Sequence, residues 1–166
     1  MKKWKYVTTV GLLLTITIGV SYYYYVINDQ RHEQSEAVTA ARKELKLTNI
    51  KDIEHYYGSY GSFQVIKASI GENKQYVFVP VKKGEPRTIS VNEGWSKEKV
   101  KKYVSEELNP DELISIQLGL EKYTKSSTLT PVWEIVFEDG NQSYTFHYIR
   151  YADGTFFKEY SMTQAS

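Results

Sequence analysis

An uncharged apolar run near the N-terminus is the strongest constraint on what this chain can fold into. It extends from Val7 to Ile27 and reads VTTVGLLLTITIGVSYYYYVI. About 20 apolar residues in a helix cross the hydrocarbon core of a bilayer, so the run predicts a transmembrane anchor over residues 7–27. A cleaved signal peptide is the alternative. However, the run lacks an A-x-A-like site, and bulky tyrosines stand where small cleavage-site residues belong.

Lysines and tyrosines at the two ends of this run predict its orientation. The lysines precede it in a tail of residues 1–6, which the positive-inside bias keeps in the cytoplasm. The tyrosines then lie at the far interface, where their rings contact acyl chains and their hydroxyls reach water. The lysines are Lys2, Lys3 and Lys5, and the tyrosines are Tyr22, Tyr23, Tyr24 and Tyr25.

The rest of the chain has the composition of a folded domain. Removing the three N-terminal lysines from the net charge of +1 leaves −2, and no basic patch indicates nucleic-acid binding. The absence of cysteine excludes disulfides, thiol catalysis and cysteine zinc sites. With 41% hydrophobic and 25% charged residues, the chain is expected to fold by packing alone.

Two amphipathic patterns predict helices. The first lies between Asn28 and Leu47, where a polar linker is the alternative, and the second begins at Ser96 as N-cap and ends at Asn109-Pro110. The residues expected on one helical face are Ala37, Ala40, Ala41 and Leu45 in the first pattern and Val100, Tyr103, Val104 and Leu108 in the second.

Eight alternating apolar stretches, separated by turn residues, predict β-strands. Pro80 cannot donate a ladder hydrogen bond, so the third strand is expected to lie at a sheet edge or to end there. The predicted strands cover residues 50–57, 62–69, 75–81, 87–91, 113–123, 132–137, 143–151 and 156–162.

The order of these elements repeats along the chain. A shift of 63 positions aligns Ala41 with Val104 and Ile53 with Ile116, and a shift of about 68 aligns Phe78 with Phe146. The prediction is an α+β chain of two tandem modules, residues 28–92 and 95–163, each with one helix packed on an antiparallel sheet. Chance similarity between simple periodic segments is the alternative.

The whole layout resembles a known family. The segments that carry the resemblance are YVFVPVKKGE in the first half and VWEIVFEDGNQSYTFHYIRYADGTFFKEY in the second. Together with the lysine-flanked anchor, they resemble the TseB-like cell-wall elongation regulators of Gram-positive bacteria, whose PepSY-like repeats have a cystatin-like fold. The resemblance implies a single-pass protein of the cell membrane with both modules on the extracytoplasmic side. It also implies a noncatalytic role, regulating cell-wall elongation by binding a class B penicillin-binding protein. PepSY and cystatin-like folds also suggest an alternative, a peptidase inhibitor or chaperone-like regulator of an extracytoplasmic protein.

The sequence predicts no catalytic, metal or cofactor site and no small-molecule substrate. The histidines are His32, His55 and His147, and no two lie at a short ligand spacing. The chain has no G-x-S-x-G, Walker A or G-x-G-x-x-G motif. An enzyme that uses carboxylates at the junction of the modules is the remaining catalytic hypothesis.

Two Asp-Gly pairs, at residues 139–140 and 153–154, predict two-residue hairpins. That register places Ile135 opposite Tyr144 in the first hairpin and His147 opposite Tyr160 in the second. It predicts an aromatic patch on the sheet face away from the second helix, suited to partner binding. The alternative is that this face packs against the first module. The patch consists of His147, Tyr151, Phe156 and Tyr160.

Overall fold

The chain divides into two compact units, Met1–Ala37 and Val38–Ser166. The computed structural model describes residues 15–23, 35–36, 38–82, 84–123, 128–139 and 143–163. In the first unit, residues 15–23 are helical and exposed. No helix among the described residues is both long enough and apolar enough to cross a membrane. The predicted anchor falls partly outside the described residues and stays a prediction.

Four strands of the second unit form the first sheet, in the order β1-β2-β3-β4 with antiparallel neighbours. β3 ends at Pro80, as predicted, and β4 pairs only with Gln75–Phe78. On the other side Pro80 pairs with Phe63 of β2, but it is the next residue, Val81, whose N donates to the Ser62 carbonyl, so the proline nitrogen faces away from β2 and removes no ladder hydrogen bond. The strands are β1 (Leu47–Gly58), β2 (Gly61–Ile70), β3 (Asn73–Pro80) and β4 (Arg87–Ser90).

The other four strands form the second sheet, in the order β5-β6-β7-β8, again with antiparallel neighbours. All eight strands coincide with the predicted stretches to within a few residues, because alternation of apolar side chains is a local signal. The strands are β5 (Glu112–Lys122), β6 (Leu129–Asp139), β7 (Ser143–Arg150) and β8 (Phe156–Thr163).

A helix precedes each sheet. α1 covers residues 38–44. α2 covers Lys97–Tyr103 and continues as a π-helical turn over Val104–Leu108. The predicted N-cap is confirmed, since Ser96 Oγ accepts a hydrogen bond from Lys99 N at 3.2 Å. The predicted face of α2 is buried at Val100 and Val104, whereas in α1 Ala41 is buried and Ala40 is exposed.

The structure retains the repeat over the helix ends and first strands. Lys46 and Asn109, which are 63 positions apart, both take left-handed backbone conformations where their helices end. Bulges follow at Thr48/Asp52 in β1 and at Leu113/Ser115 in β5. The second predicted offset of about 68 is wrong, because the strand pairings make Phe78 equivalent to Tyr148, an offset of 70.

The two sheets share one hydrophobic core. Val65 and Phe78 of the first sheet belong to the same buried cluster as Trp133 and Ile149 of the second, together with Val100 of α2. The sheets are also joined by polar contacts, such as the hydrogen bond from the Tyr151 hydroxyl to the Ser90 carbonyl at 2.7 Å. The sheets of the two predicted modules are therefore packed against each other.

Candidate functional site

The register predicted for the hairpin between β6 and β7 is wrong. Asp139 pairs with Ser143, so three residues rather than two separate the paired positions. Ile135 then lies opposite His147 instead of Tyr144, a shift of three positions. An odd shift turns every side chain of β7 to the other face of the sheet. His147 therefore lies on the same face as Ile135, not on the opposite one.

The register predicted for the hairpin between β7 and β8 is also wrong. His147 lies opposite Glu159 rather than Tyr160, and a bulge interrupts the pairing between Tyr148 and Ile149. The same hairpin makes tertiary contacts with the segment before α2. Trp95 N donates to the Tyr151 carbonyl at 2.8 Å, and the Trp95 ring fills the space where a Cβ on Gly154 would stand.

These corrections divide the predicted aromatic patch. Tyr151 is 3% exposed and His147 is 5% exposed, so both are core residues. Phe156 is 61% exposed and lies beside the His147 ring, with centroids 5.6 Å apart. Tyr160 is 42% exposed and stacks on Phe146 at 4.9 Å, on the other face of the sheet. The four residues do not share one face.

The two buried members of the patch have structural partners. His147 Nδ1 lies 2.6 Å from a carboxylate oxygen of Glu159, which only accepts, so Nδ1 donates. Its Nε2 lies 3.2 Å from the hydroxyl of Tyr103 on α2. Burial raises the pKa of Tyr151 to about 12, so its hydroxyl stays protonated and donates to Ser90. Both side chains hold elements together within the fold.

The exposed aromatic residues gather at a different place, which we call the aromatic groove. It has a volume of about 360 Å³ and lies between the turn joining β1 to β2, the end of β5 and the start of β8. Tyr60, Tyr123 and Phe156 are 47%, 58% and 61% exposed. The lining residues are Ser59, Tyr60, Lys122, Tyr123, Phe156, Phe157, Lys158 and Glu159.

Two walls of this groove are held by a fully buried carboxylate. Glu121 is 0% exposed, and its Oε1 accepts hydrogen bonds from Ser59 N and from the Tyr56 hydroxyl, both at 2.9 Å. Its Oε2 accepts from Lys158 Nζ at 2.8 Å. Because Ser59 and Lys158 come from different sheets, Glu121 ties the turn after β1 to β8.

A second buried carboxylate lies beside the first. Glu134 accepts a hydrogen bond from the Tyr148 hydroxyl at 2.6 Å and a longer one from Tyr56 at 3.4 Å. Burial raises the pKa of Glu134 above its usual range, and burial also raises the pKa values of both tyrosines. We call this set the buried carboxylate cluster; its members are Tyr56, Glu121, Glu134, Tyr148 and Lys158.

Glycine makes room for the cluster at the point where β1 meets β5. A Cβ on Gly119 would lie 2.2 Å from the Tyr56 ring, and a Cβ on Gly58 would lie 2.7 Å from the same ring and 2.9 Å from Glu121 Oε1. All three distances are far inside van der Waals contact. The bare backbone at Gly119 therefore lets the Tyr56 ring cross β5 and reach both carboxylates.

No local pattern in the sequence identified this cluster. Glu134 sits inside the apolar run VWEIVF, and Glu121 follows LGL. The one signal for the cluster was a glutamate within an apolar strand. Such a glutamate is either exposed on the other face of the sheet or buried with partners. Its partner Tyr56 lies 65 positions before Glu121, and no local pattern connects the two.

The predicted membrane-interface residues are only partly described. Tyr22 and Tyr23 lie in the helical residues 15–23 and are 70% and 63% exposed. The remaining predicted anchor and topology residues lie outside the described residues; these are Tyr24, Tyr25, Lys2, Lys3 and Lys5. In the part of the chain that the structure describes, no group of three or more His, Asp or Glu side chains could hold a metal ion.

The architecture defines an α+β protein with two four-stranded antiparallel sheets around a shared core. A solved protein of this kind is the YpmB protein from Bacillus subtilis. It matches with a TM-score of 0.63 and 22% sequence identity, over 77% of this chain and 96% of that one. No family model matches the sequence, nor does any curated protein. At this identity the likeness to YpmB establishes the fold.

Proposed function

We propose that this protein is a noncatalytic, membrane-tethered binding protein that regulates cell-wall elongation by docking onto a class B penicillin-binding protein outside the cell. The choice of partner comes from the resemblance to TseB-like regulators and their PepSY-like, cystatin-like repeats. The observation that carries the proposal is the aromatic groove, in which Tyr60, Tyr123 and Phe156 are exposed together around one cavity.

The side chains of the groove suit a protein partner. Tyrosine and phenylalanine bring large contact areas with few rotatable bonds, so little side-chain entropy is lost on binding. Lys122 lies 5.3 Å above the Tyr60 ring, and the Tyr123 ring packs edge-on against Phe157 at 5.7 Å. These contacts hold two of the exposed rings in place before a partner arrives.

The buried carboxylate cluster supports binding because it arranges the groove in advance. Glu121 connects Ser59 on one wall to Lys158 on another through charged hydrogen bonds. Such bonds are stronger than neutral ones, and their burial protects them from water. A prearranged surface loses less conformational freedom on association, which favours affinity for a given contact area.

The same cluster disfavours the catalytic hypothesis. Glu121 and Glu134 are carboxylates at the place where the sheets meet, as that hypothesis requires. However, they are only 0% and 8% exposed. Both oxygens of Glu121 already accept hydrogen bonds from protein groups. A general acid or base must come within hydrogen-bond distance of a substrate, and these two are covered by their own fold. Their role in the proposal is structural.

The predicted anchor makes a small contact surface sufficient. Confining both partners to one membrane raises their effective concentration, so a weak contact between the extracytoplasmic parts can be occupied. The eight residues that line the groove are few compared with the roughly 20–30 residues that each partner contributes to a stable protein–protein interface. The proposal therefore expects the interaction to weaken strongly when the chain is released from the membrane.

In-cell photocrosslinking tests the proposal. A photoreactive residue at Tyr123 is expected to capture a class B penicillin-binding protein. The same residue at Glu72, in the exposed turn between β2 and β3, is expected not to. As matched variants, Tyr123→Ala should reduce capture from position 156, whereas Tyr57→Ala, which removes an exposed tyrosine outside the groove, should not.

Circular dichroism of the purified variants checks that the fold is retained. Equal capture from positions 123 and 72 would reject the groove as the docking surface. Capture of a peptidase at position 123, with dose-dependent inhibition of that peptidase, would replace the proposal by the inhibitor alternative.

A further inference from the structure

The outer edge of β5 differs from the other sheet edges in having a long uncharged stretch, which lies between Glu112 and Glu121 of the same strand. Its stretch Leu113–Leu120 contains no charged residue, whereas Lys51 and Glu54 lie on the edge strand β1, Arg87 on β4 and Glu159 on β8. Soluble proteins normally place charges on edge strands, because an uncharged edge pairs with any extended chain that reaches it. Residues 118–120 are buried, so the part of this edge that is accessible for pairing lies within Leu113–Gln117.

A groove of about 490 Å³ runs along the first half of this edge. Its walls are β1 at Glu54 and His55, β5 from Leu113 to Gln117, and α2 at Lys97 and Lys101. β1 and β5 belong to different sheets and are not hydrogen-bonded neighbours. The side chain of Gln117 bridges them by donating to the His55 carbonyl at 3.4 Å.

Apolar side chains accompany the unpaired backbone of the edge. Leu113 and Ile114 are 41% and 46% exposed. The bulge between Leu113 and Ser115 leaves Ile114 without a partner on β6. Such a position supplies contact area to the side chains of an added strand, while the backbone supplies hydrogen bonds.

The charge of the groove is positive. Lys97 bonds Glu54 at 2.7 Å, which neutralises one lysine, and the exposed Lys101 makes no hydrogen bond or ion pair with the described residues. Burial lowers the pKa of His55, so its ring is neutral at pH 7 and adds no charge. The charged residues that line the groove, Glu54, Lys97 and Lys101, therefore sum to a net charge of +1 around the space that an added strand would occupy.

We propose that the edge of β5 is a strand-addition site for an extended, acidic segment of a partner protein. The segment pairs through its backbone with Leu113–Gln117 and sets a carboxylate against Lys101. This contact uses a different surface and different chemistry from the aromatic groove, so it does not depend on the proposed function.

Hydrogen–deuterium exchange of the full chain in detergent, with a synthetic probe, tests the inference. The probe is a short blocked peptide of alternating valine and threonine with two glutamates. It should slow exchange in β5 at Leu113–Gln117 and leave the aromatic groove unchanged. N-methylation of the amides along one edge of the peptide should abolish binding, and N-methylation along the other edge should not, because only one edge pairs with β5.

Charge variants on α2 give the matched comparison. Lys101→Glu should weaken binding of the acidic peptide by about fivefold, since it replaces an attraction by a repulsion at a surface site. Lys102→Glu makes the same change in net charge on a residue that does not line the groove, and should leave binding unchanged. Equal effects of the two variants, equal binding of the two N-methylated peptides, or protection outside β5 would overturn the proposal.

Discussion

Replacing Gly119 with alanine tests whether the Tyr56 ring crossing β5 holds the two sheets together. The new Cβ would lie 2.2 Å from the ring, where carbon atoms need about 3.5 Å, so the ring must move by about 1.3 Å. Tyr56 is 1% exposed, so its ring is enclosed by other protein groups. We expect the ring to be displaced and its hydrogen bond to Glu121 to break.

The structure gives the size of this effect. Overpacking of a filled core costs about 1–3 kcal/mol. Loss of a hydrogen bond to a charged group costs about 1.5–3 kcal/mol. Since the two terms are not independent, we expect Gly119→Ala to lower the free energy of unfolding by about 3–5 kcal/mol, which is a large part of the total for a domain of this size.

Equilibrium denaturation of the full chain in urea measures the loss. Gly71→Ala is the control: it also adds a methyl group, but in open space, and its left-handed backbone (φ +60°) costs about 1 kcal/mol. In a Tyr56→Ala background the clash is gone, so Gly119→Ala should there be close to neutral. If Gly119→Ala costs as much in that background as in the parent, or no more than Gly71→Ala, then the Tyr56 ring does not hold the two sheets together in this way.

Three further predictions concern the buried cluster and α2. Lys158→Met leaves the buried Glu121 charge unpaired and should lower the free energy of unfolding by about 3 kcal/mol, with most of it restored by adding Glu121→Gln; no restoration in urea titrations would contradict this. The pKa of Glu134 lies above its ordinary value of 4.5 in the folded state, so the folded state binds this proton more tightly and is stabilised as pH falls from 7 towards 4.5. Thermal unfolding at several pH values should show that Glu134→Gln removes this gain, and an identical pH profile in parent and variant would exclude it. Ser96→Ala removes the N-cap of α2 and should cost about 1 kcal/mol in the same urea assay, whereas Ser96→Asp should cost almost nothing.

Local patterns were enough to predict the elements of this fold. Alternation of apolar residues located all eight strands, and the cap at Ser96 located α2, because both signals act within a few residues of the chain. The 63-position repeat also predicted which elements would correspond in the two halves. The left-handed residues Lys46 and Asn109 end their helices at that spacing.

The candidate site could not be predicted in the same way, since it depends on pairing register and on distant contacts. The Trp95 contacts at Tyr151 and Gly154 accompany a bulge in the last hairpin, between Tyr148 and Ile149, and this bulge places Phe156 and Tyr160 on opposite faces of the sheet. A single-position change reverses the facing of a whole strand, and turn residues alone do not select between neighbouring registers. The predicted patch was therefore incorrect even though its strands were correct.

What can be read directly from the residues is the order and type of the elements, because these follow from short-range periodicity and capping. Only the folded chain shows which face of its sheet each side chain occupies and whether each charged side chain is buried or exposed. Glu121 and Glu134 lie on strands like many exposed glutamates, and they are buried only because Gly119 admits Tyr56 from the other sheet and Lys158 neutralises Glu121. Burial of a carboxylate is stable only with several partners at once, and those partners come from distant parts of the chain that meet only on folding.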